Sequence, residues 1–240
     1  MAAVGAIRGN DKLITRYDNR KQQAETLATI VAGQLDQAIK LRGHASFAIP
    51  GGTTPAPFMQ ELSKRDIDWN CVTVTTTDER VVEETSDRSN AKLVGENLLI
   101  NRASDAQFSS LHNKGERAQG DEFADLHDRV QKMLPLDVCV LGMGADMHIA
   151  SLFPKAEGLE EAICLDCQSN VASVMPASGD EKRITLTAPV LVNSTNIHLL
   201  IVGAEKLDAL NLAKTMSDPK EAPVRTILGH SALEIHYAES

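Results

Sequence analysis

"LDVCVLGMGADMHIASLFP", residues 136–154, is the stretch on which the fold turns. Its first half is an apolar run, the pattern of a buried strand, and buried strands belong to parallel sheets covered by helices on both faces. The run ends in Gly142 and Gly144. The turn then carries Asp146 and His148 before the chain becomes apolar again. In open parallel sheets the ligand crevice lies beyond the carboxyl ends of the strands. An acid and an imidazole just past a buried strand therefore stand where chemistry is done.

Outward from that stretch, strand-like and helix-like segments alternate. Residues 16–43, "RYDNRKQQAETLATIVAGQLDQAIKLRG", read as a helix: Asp18 or Asn19 caps it, apolar residues recur at Leu27, Ile30, Val31, Leu35 and Ile39, and Gly43 lies past its end. "HASFAIP" (44–50) reads as a short buried strand, and "GGTTPAPFMQEL" (51–62) turns into a helix with Pro55 near its first turn. "CVTVTTT" (71–77) is rich in β-branched residues and reads as a strand. "DERVVEETSDRSN" (78–90) reads as a polar loop, "NAKLVGENLL" (90–99) as a helix and "GDEFADLHDRVQKML" (120–134) as an amphipathic helix. "NIHLLIVG" (196–203) is a strand, "AEKLDALNLAKTM" (204–216) a helix, "PVRTILGH" (223–230) a helical turn and "ALEIHYAE" (232–239) a last strand. This alternation predicts an α/β protein with a mostly parallel sheet and helices on both faces. The expected organisation is one domain over 1–240, with 1–18 an extension that has room for a short first strand.

Composition narrows the function. The chain has 240 residues, and its 42% apolar content suffices for a sizeable core. Aromatic residues are only 3%, too few for a nucleic-acid stacking platform, and the net charge of −9 repels DNA, RNA and anionic lipid. Nucleic acid and membranes are not expected partners. No run has the length of a membrane span, and the cytoplasm is the expected location. Apolar faces for a core and for a partner look alike, so oligomeric state is left open. Cys71 and Cys139 fall in apolar runs. Cys164 and Cys167 form "CLDC", which reads as ordinary packing, since no second pair completes a metal set.

The loops after the strands carry the chemistry. "PGGTTP" offers Gly51, Gly52, Thr53 and Thr54 ahead of a helix: either a phosphate cradle or a tight turn with Thr53 or Thr54 as cap. It lacks the Lys-Ser/Thr ending of a nucleotide-binding loop. "TDER" gives Asp78, Glu79 and Arg80, either anion-binding or a surface ion-pair cluster. "KRITLT" supplies Lys182, Arg183, Thr185 and Thr187, and "GAEK" supplies Lys206 at a helix start, where a cation opposes the helix dipole unless an anion is bound. His148 is the candidate general base, with Asp146 orienting it or binding a ligand hydroxyl. The other histidines, His44, His112, His127, His198, His230 and His236, read as surface or satisfied structural groups. No GxSxG elbow and no HExxH or EF-hand is present.

Taken in order, "PGGTTP", "TTTDER" with "DRSN", "LGMGADMHIASLFP", "RITLT", "VGAEK" and the C-terminal "PVRTIL" resemble the 6-phosphogluconolactonase family over about residues 20–238. The resemblance implies a modified Rossmann-like fold shared with glucosamine-6-phosphate deaminase. It implies metal-independent and cofactor-free hydrolysis of 6-phospho-D-glucono-1,5-lactone, a phosphosugar lactone of the oxidative pentose phosphate pathway. By the same resemblance His148 is catalytic with Asp146 beside it. The loop Gly51–Thr54, Arg183 and Lys206 contact phosphate, Arg80 is the strand-end arginine, and Asp78 is part of the site.

Two positions depart from the family pattern Asp-Gly-His-Thr: Met147 stands for the glycine and Ile149 for the threonine. Met resists the positive φ that glycine accepts. The related amino-sugar-phosphate isomerases and deaminases carry a Glu where this chain has Phe153 and a Tyr where it has Arg80. A phenyl ring cannot transfer protons, which counts against that activity. A sugar-phosphate sensor without catalysis is the other alternative. The stretch before the first helix is too short for the helix-turn-helix such regulators carry.

Overall fold

The computed structural model describes residues 14–112 and 121–240. In chain order the elements are β1 (Ile14–Tyr17), α1 (Arg20–Arg42), β2 (Ala45–Ile49), α2 (Ala56–Leu62), β3 (Val72–Thr76), β4 (Asp78–Arg80), α3 (Asn90–Asn97), β5 (Gln107–Phe108), α4 (Asp121–Gln131), β6 (Val138–Gly142), α5 (Leu159–Ile163), β7 (Val171–Val174), β8 (Arg183–Leu186), α6 (Ala188–Val192), β9 (Asn196–Val202), α7 (Ala204–Thr215), α8 (Arg225–Leu228) and β10 (Leu233–Ala238). The extension expected at 1–18 contributes β1; its residues 1–13 lie outside the described residues.

Seven strands form one parallel sheet in the order β1-β10-β9-β6-β2-β3-β5. The expected strand at 136–142 is its centre. Val138 and Val140 pack with Phe47, Ile49, Leu27, Val31 and Leu35 on one face. Cys139 and Leu141 pack with Leu199, Leu126 and Leu210 on the other. A strand buried on both faces has no polar side to show, which is why its sequence reads as an unbroken apolar run. The long helix α1 begins where expected: the Asn19 side chain accepts from the Gln22 amide at 3.0 Å, and Gly43 ends it in the left-handed conformation at φ 79°.

A second sheet, antiparallel β4-β8-β7, was not expected. The segment 78–90 that reads as a loop opens with β4, and "RITL" is β8 rather than a loop motif. Strands of three and four residues are too short to show a period on their own; pairing with each other creates them. Thr53 and Thr54 do not cap α2. Pro55 holds the cap position with no side-chain hydrogen bond, and the proline ring presets φ for the first turn. Cys164 and Cys167 span a turn after α5, and both are free thiols.

Among the histidines read as structural, His198 and His236 are fully buried and hydrogen-bonded to each other at 3.0 Å. Desolvation pushes their values down to about 4 and about 3, His236 with help from the neighbouring His198, so both rings are neutral at pH 7. No helix among the described residues is long and apolar enough to cross a membrane.

Candidate active site

Parallel strands put all their carboxyl ends on one edge, and the loops after β2, β3, β6 and β9 meet there. They enclose a cleft of about 290 Å³ lined by Gly51, Gly52, Thr54, Asp78, Arg80, Asn90, Gly144, His148, Phe153, Arg183 and Lys206, among others. Most of the residues singled out from the sequence therefore open on one cavity, whereas Glu79, Lys182, Thr185 and Thr187 do not line it. Thr53 does not line it and is exposed. Asp146 enters only through His148.

The His148 Nδ1 lies 2.5 Å from Asp146 Oδ1, and the same oxygen accepts the His148 amide at 3.3 Å. A carboxylate on Nδ1 fixes the tautomer with its proton there and leaves Nε2 as a free lone pair, the form a general base requires. Partial burial pushes the Asp146 carboxyl upward, but the His148 hydrogen bond and charge more than offset this and hold it below the ordinary Asp value. Gly144 makes the arrangement sterically possible. A Cβ there would fall on the His148 ring and on the Asp146 carboxylate. The Phe153 ring lies 4.3 Å from the His148 ring, centroid to centroid, and backs it.

The Met147 question resolves plainly. Its φ is 68°, so a bulky residue occupies the left-handed conformation that glycine favours. Two hydrogen bonds hold it there: its amide donates to the Gly144 carbonyl, and its own carbonyl accepts the Val224 amide, each at 3.0 Å. The second ties the "PVRTIL" segment to the loop of His148. Ile149 is fully buried and packs in the core below the sheet edge. A hydroxyl at that position would therefore point away from solvent.

The basic part of the cleft stands on the small sheet. In the ladder of β4 and β8, Arg80 pairs with Arg183 and Asp78 with Thr185. Cross-strand like charges are destabilising unless something of opposite sign joins them. Arg183 is 5% exposed, and its guanidinium sits 6.0 Å over the Phe153 ring. Its desolvation, with Arg80 nearby, lowers its value. The Nε atoms of Arg80 and Arg183 are both buried without a hydrogen-bond partner. The Arg80 Nη1 donates to the Arg88 carbonyl at 2.6 Å, and Arg88 in turn pairs with Glu181.

Across from the arginines, Gly52 bends the loop at φ 88°, and among the described residues none of the amides of 51–54 meets a protein acceptor. Lys206, in the first turn of α7, donates to the Met143 carbonyl; desolvation lowers its value, while Glu205 and Asp146 counter that. Its position against the helix dipole is thus partly compensated within the protein, at the end of β6.

Several residues that sequence reasoning passed over build this site. Glu79, 2% exposed, is neither an anion-site group nor a surface ion pair. It accepts from the amides of Arg80, Asn90 and Ala91 at 2.8, 2.8 and 2.6 Å and so caps α3. Asn90 donates its side-chain amide to the Asp78 carbonyl at 2.8 Å and rests against Gly51, where a Cβ would displace it. Ser151, fully buried, donates to Asp78 Oδ2 at 2.5 Å and orients that carboxylate. The signal available for Glu79 was its distance of eleven residues from a helix start, which is not a local motif.

Comparison with known proteins shows the family that shares this fold. A family model described as glucosamine-6-phosphate isomerases/6-phosphogluconolactonase matches residues 18–235. A 6-phosphogluconolactonase of Rhizobium meliloti is 39% identical over 224 residues, covering 92% of this chain and 97% of the relative. The crystal structure of a 6-phosphogluconolactonase from Shewanella baltica superposes with a TM-score of 0.90 at 34% identity, covering 98% of this chain and 100% of the other. A monomeric glucosamine-6-phosphate deaminase superposes with a TM-score of 0.78 over 94% of this chain at 16% identity, which shows the shared fold. With its parallel sheet, its strand-end cleft and these matches over nearly its whole length, the chain belongs to the glucosamine-6-phosphate isomerase/6-phosphogluconolactonase family.

Proposed function

We propose that this chain hydrolyses 6-phospho-D-glucono-1,5-lactone to 6-phosphogluconate. One observation carries the reading: a carboxylate-oriented imidazole and a cross-strand pair of arginines open on the same cleft, with the Phe153 ring against His148 and under the Arg183 guanidinium. Curated relatives at 39% and 38% identity carry the name 6-phosphogluconolactonase, which supports the same reaction.

In this mechanism the phosphate anchors remotely on Arg183, Lys206 and the free amides of the Gly51–Thr54 loop. Its binding energy places the lactone carbonyl beside His148. The His148 Nε2 takes a proton from water as the oxygen attacks C1. Asp146 stabilises the imidazolium that results. The tetrahedral oxyanion needs a donor, and Arg80, which lines the cleft with His148, is the one we assign. The imidazolium then gives its proton to the ring oxygen as the C1–O bond breaks. The isomerase reading is disfavoured by Phe153, which packs on His148 where that chemistry needs a carboxylate.

The test is hydrolysis of freshly generated 6-phosphogluconolactone by the purified protein, corrected for spontaneous opening, with and without EDTA. Fast turnover that EDTA leaves intact is expected. Turnover no faster than background would overturn the reading and favour a sugar-phosphate sensor, then tested by binding of 6-phosphogluconate.

A further inference from the structure

Outside the lining of the cleft, on the face of β9 and β10 that α1 covers, His198, Glu234 and His236 bring three ligand atoms within 4.8 Å of one another. Glu234 is the cross-strand partner of His198, and His236 lies two residues further along the same face. The His198 Nδ1 and His236 Nε2 face each other at 3.0 Å. Each ring's remote nitrogen has its own oxygen partner: His198 Nε2 meets Gln34 Oε1, and His236 Nδ1 meets the Tyr17 hydroxyl, both at 2.8 Å.

From these contacts we infer that His198, His236 and Glu234 form a binding site for a zinc-like divalent cation, separate from the catalytic cleft. Three features argue for it. Two imidazole nitrogens bound to one tetrahedral zinc lie about 3.3 Å apart, given Zn–N lengths near 2.0–2.1 Å; the observed pair needs to open by only a few tenths of an ångström. The nitrogens turned away from the site are tied to oxygens, the outer-shell arrangement that orients metal-binding histidines. Glu234, whose Oε2 is 4.0 Å from His236 Nε2, is half exposed and connects the otherwise buried pair to solvent. It gives the ion an entry path and a charged ligand.

Metal binding costs no net proton here. Without metal, Gln34 Oε1 fixes the proton of His198 on Nε2. His236 must then donate from Nε2 to His198 Nδ1 and accept from the Tyr17 hydroxyl. With metal, His236 shifts its proton to Nδ1, donates to the Tyr17 oxygen, and both facing lone pairs are free for the cation. Such an ion would join β9, β10 and, through Tyr17 and Gln34, β1 and α1. It would reinforce the β1-β10-β9 side of the sheet.

The test uses the whole chain, stripped with EDTA and dialysed. Zn²⁺ titration by calorimetry should show one site per chain with a raised Tm, and Co²⁺ should give the visible absorption of a tetrahedral site. Glu234→Ala, at a half-exposed position, should weaken Zn²⁺ binding on the order of tenfold or more. His148→Ala and the double variant Cys164→Ser/Cys167→Ser should bind Zn²⁺ as the parent does. His236→Gln should lose the Co²⁺ spectrum. No stoichiometric binding, or binding that Glu234→Ala leaves intact and His148→Ala or the cysteine variant abolishes, would overturn the assignment.

Discussion

Arg80 and Arg183 face each other directly across the antiparallel ladder of β4 and β8, two guanidiniums whose Nε atoms are both buried and unpartnered. Glu181, 3.7 Å from Arg183, offsets only part of the repulsion between two cations placed side by side, and a bound dianion would offset more. Arg183→Gln should therefore raise KM for the phosphorylated lactone roughly tenfold to a hundredfold, since a charge-assisted hydrogen bond contributes about 1.5–3 kcal/mol. Its kcat should change little, and its Tm without ligand should be equal to or above that of the parent. Steady-state kinetics and a thermal melt check both halves. A lost kcat at unchanged KM would move Arg183 from binding to the chemical step.

Gly144 and His148 give the sharpest steric prediction. The imidazole and the Asp146 carboxylate occupy the space a side chain at 144 would need. Gly144→Ala should abolish the 2.5 Å contact between them and lower kcat about 10²- to 10⁴-fold, the range of general-base catalysis. His148→Ala should do the same, with KM near the parent value in both. If Gly144→Ala keeps full kcat, the dyad is not the base. Asp146→Asn should give a smaller loss. Because the Asp146 carboxyl lies below the ordinary Asp value of about 3.9, it stays ionised as pH falls toward that value. An acid loss of activity above about pH 5 is therefore not the protonation of Asp146.

The turn that carries the dyad contains its own strain. Met147 at φ 68° holds a conformation that costs an L side chain about 1–2 kcal/mol. Glycine removes that cost and adds back part of it as unfolded-state entropy. Met147→Gly should raise stability by a few tenths to about 1 kcal/mol in urea unfolding and keep or improve kcat. Met147→Ala retains the strain and loses the side chain's packing against the core, so it should be less stable than either. Were Met147→Gly the least stable of the three, packing would dominate over backbone strain.

The sequence revealed some parts of this fold and site more readily than others. The central strand at 138–142 and the loops after β2, β6 and β9 were legible because apolar runs and glycines are local signals. The helix α1 was legible from its period and from Asn19 and Gly43 at its ends. The small sheet was not, because β4 exists only by pairing with β8 across a separation of about a hundred residues, and β8 lies between β4 and β7. The burial of Arg183 could not be read either: arginine is ordinarily a surface residue, and only the opposing strand and Phe153 enclose it. The left-handed Met147 was visible only as a question, since sequence states which residues resist a conformation and not whether the chain imposes it.

Glu79 ties β4 to α3 and offers a prediction with a sign. Its buried carboxylate caps α3 from the middle of β4 and so links the arginine strand to the helix behind the Gly51 loop. Glu79→Ala leaves the amides of Asn90 and Ala91 without that acceptor and should cost about 1–3 kcal/mol in urea unfolding. Desolvation raises the Glu79 value above the ordinary Glu range, against the pull of its three backbone hydrogen bonds. A carboxyl raised in the folded state binds its proton more tightly there than in the unfolded chain, so its contribution is greatest in acid. That contribution declines as pH rises from the unfolded value near 4.3 through the folded one. The stability gap between the parent and Glu79→Gln, which cannot titrate, should accordingly be wider at pH 4.5 than at pH 7.5. A gap that widens toward neutral pH would mean that the ionised carboxylate is the better cap and that its hydrogen bonds outweigh its burial.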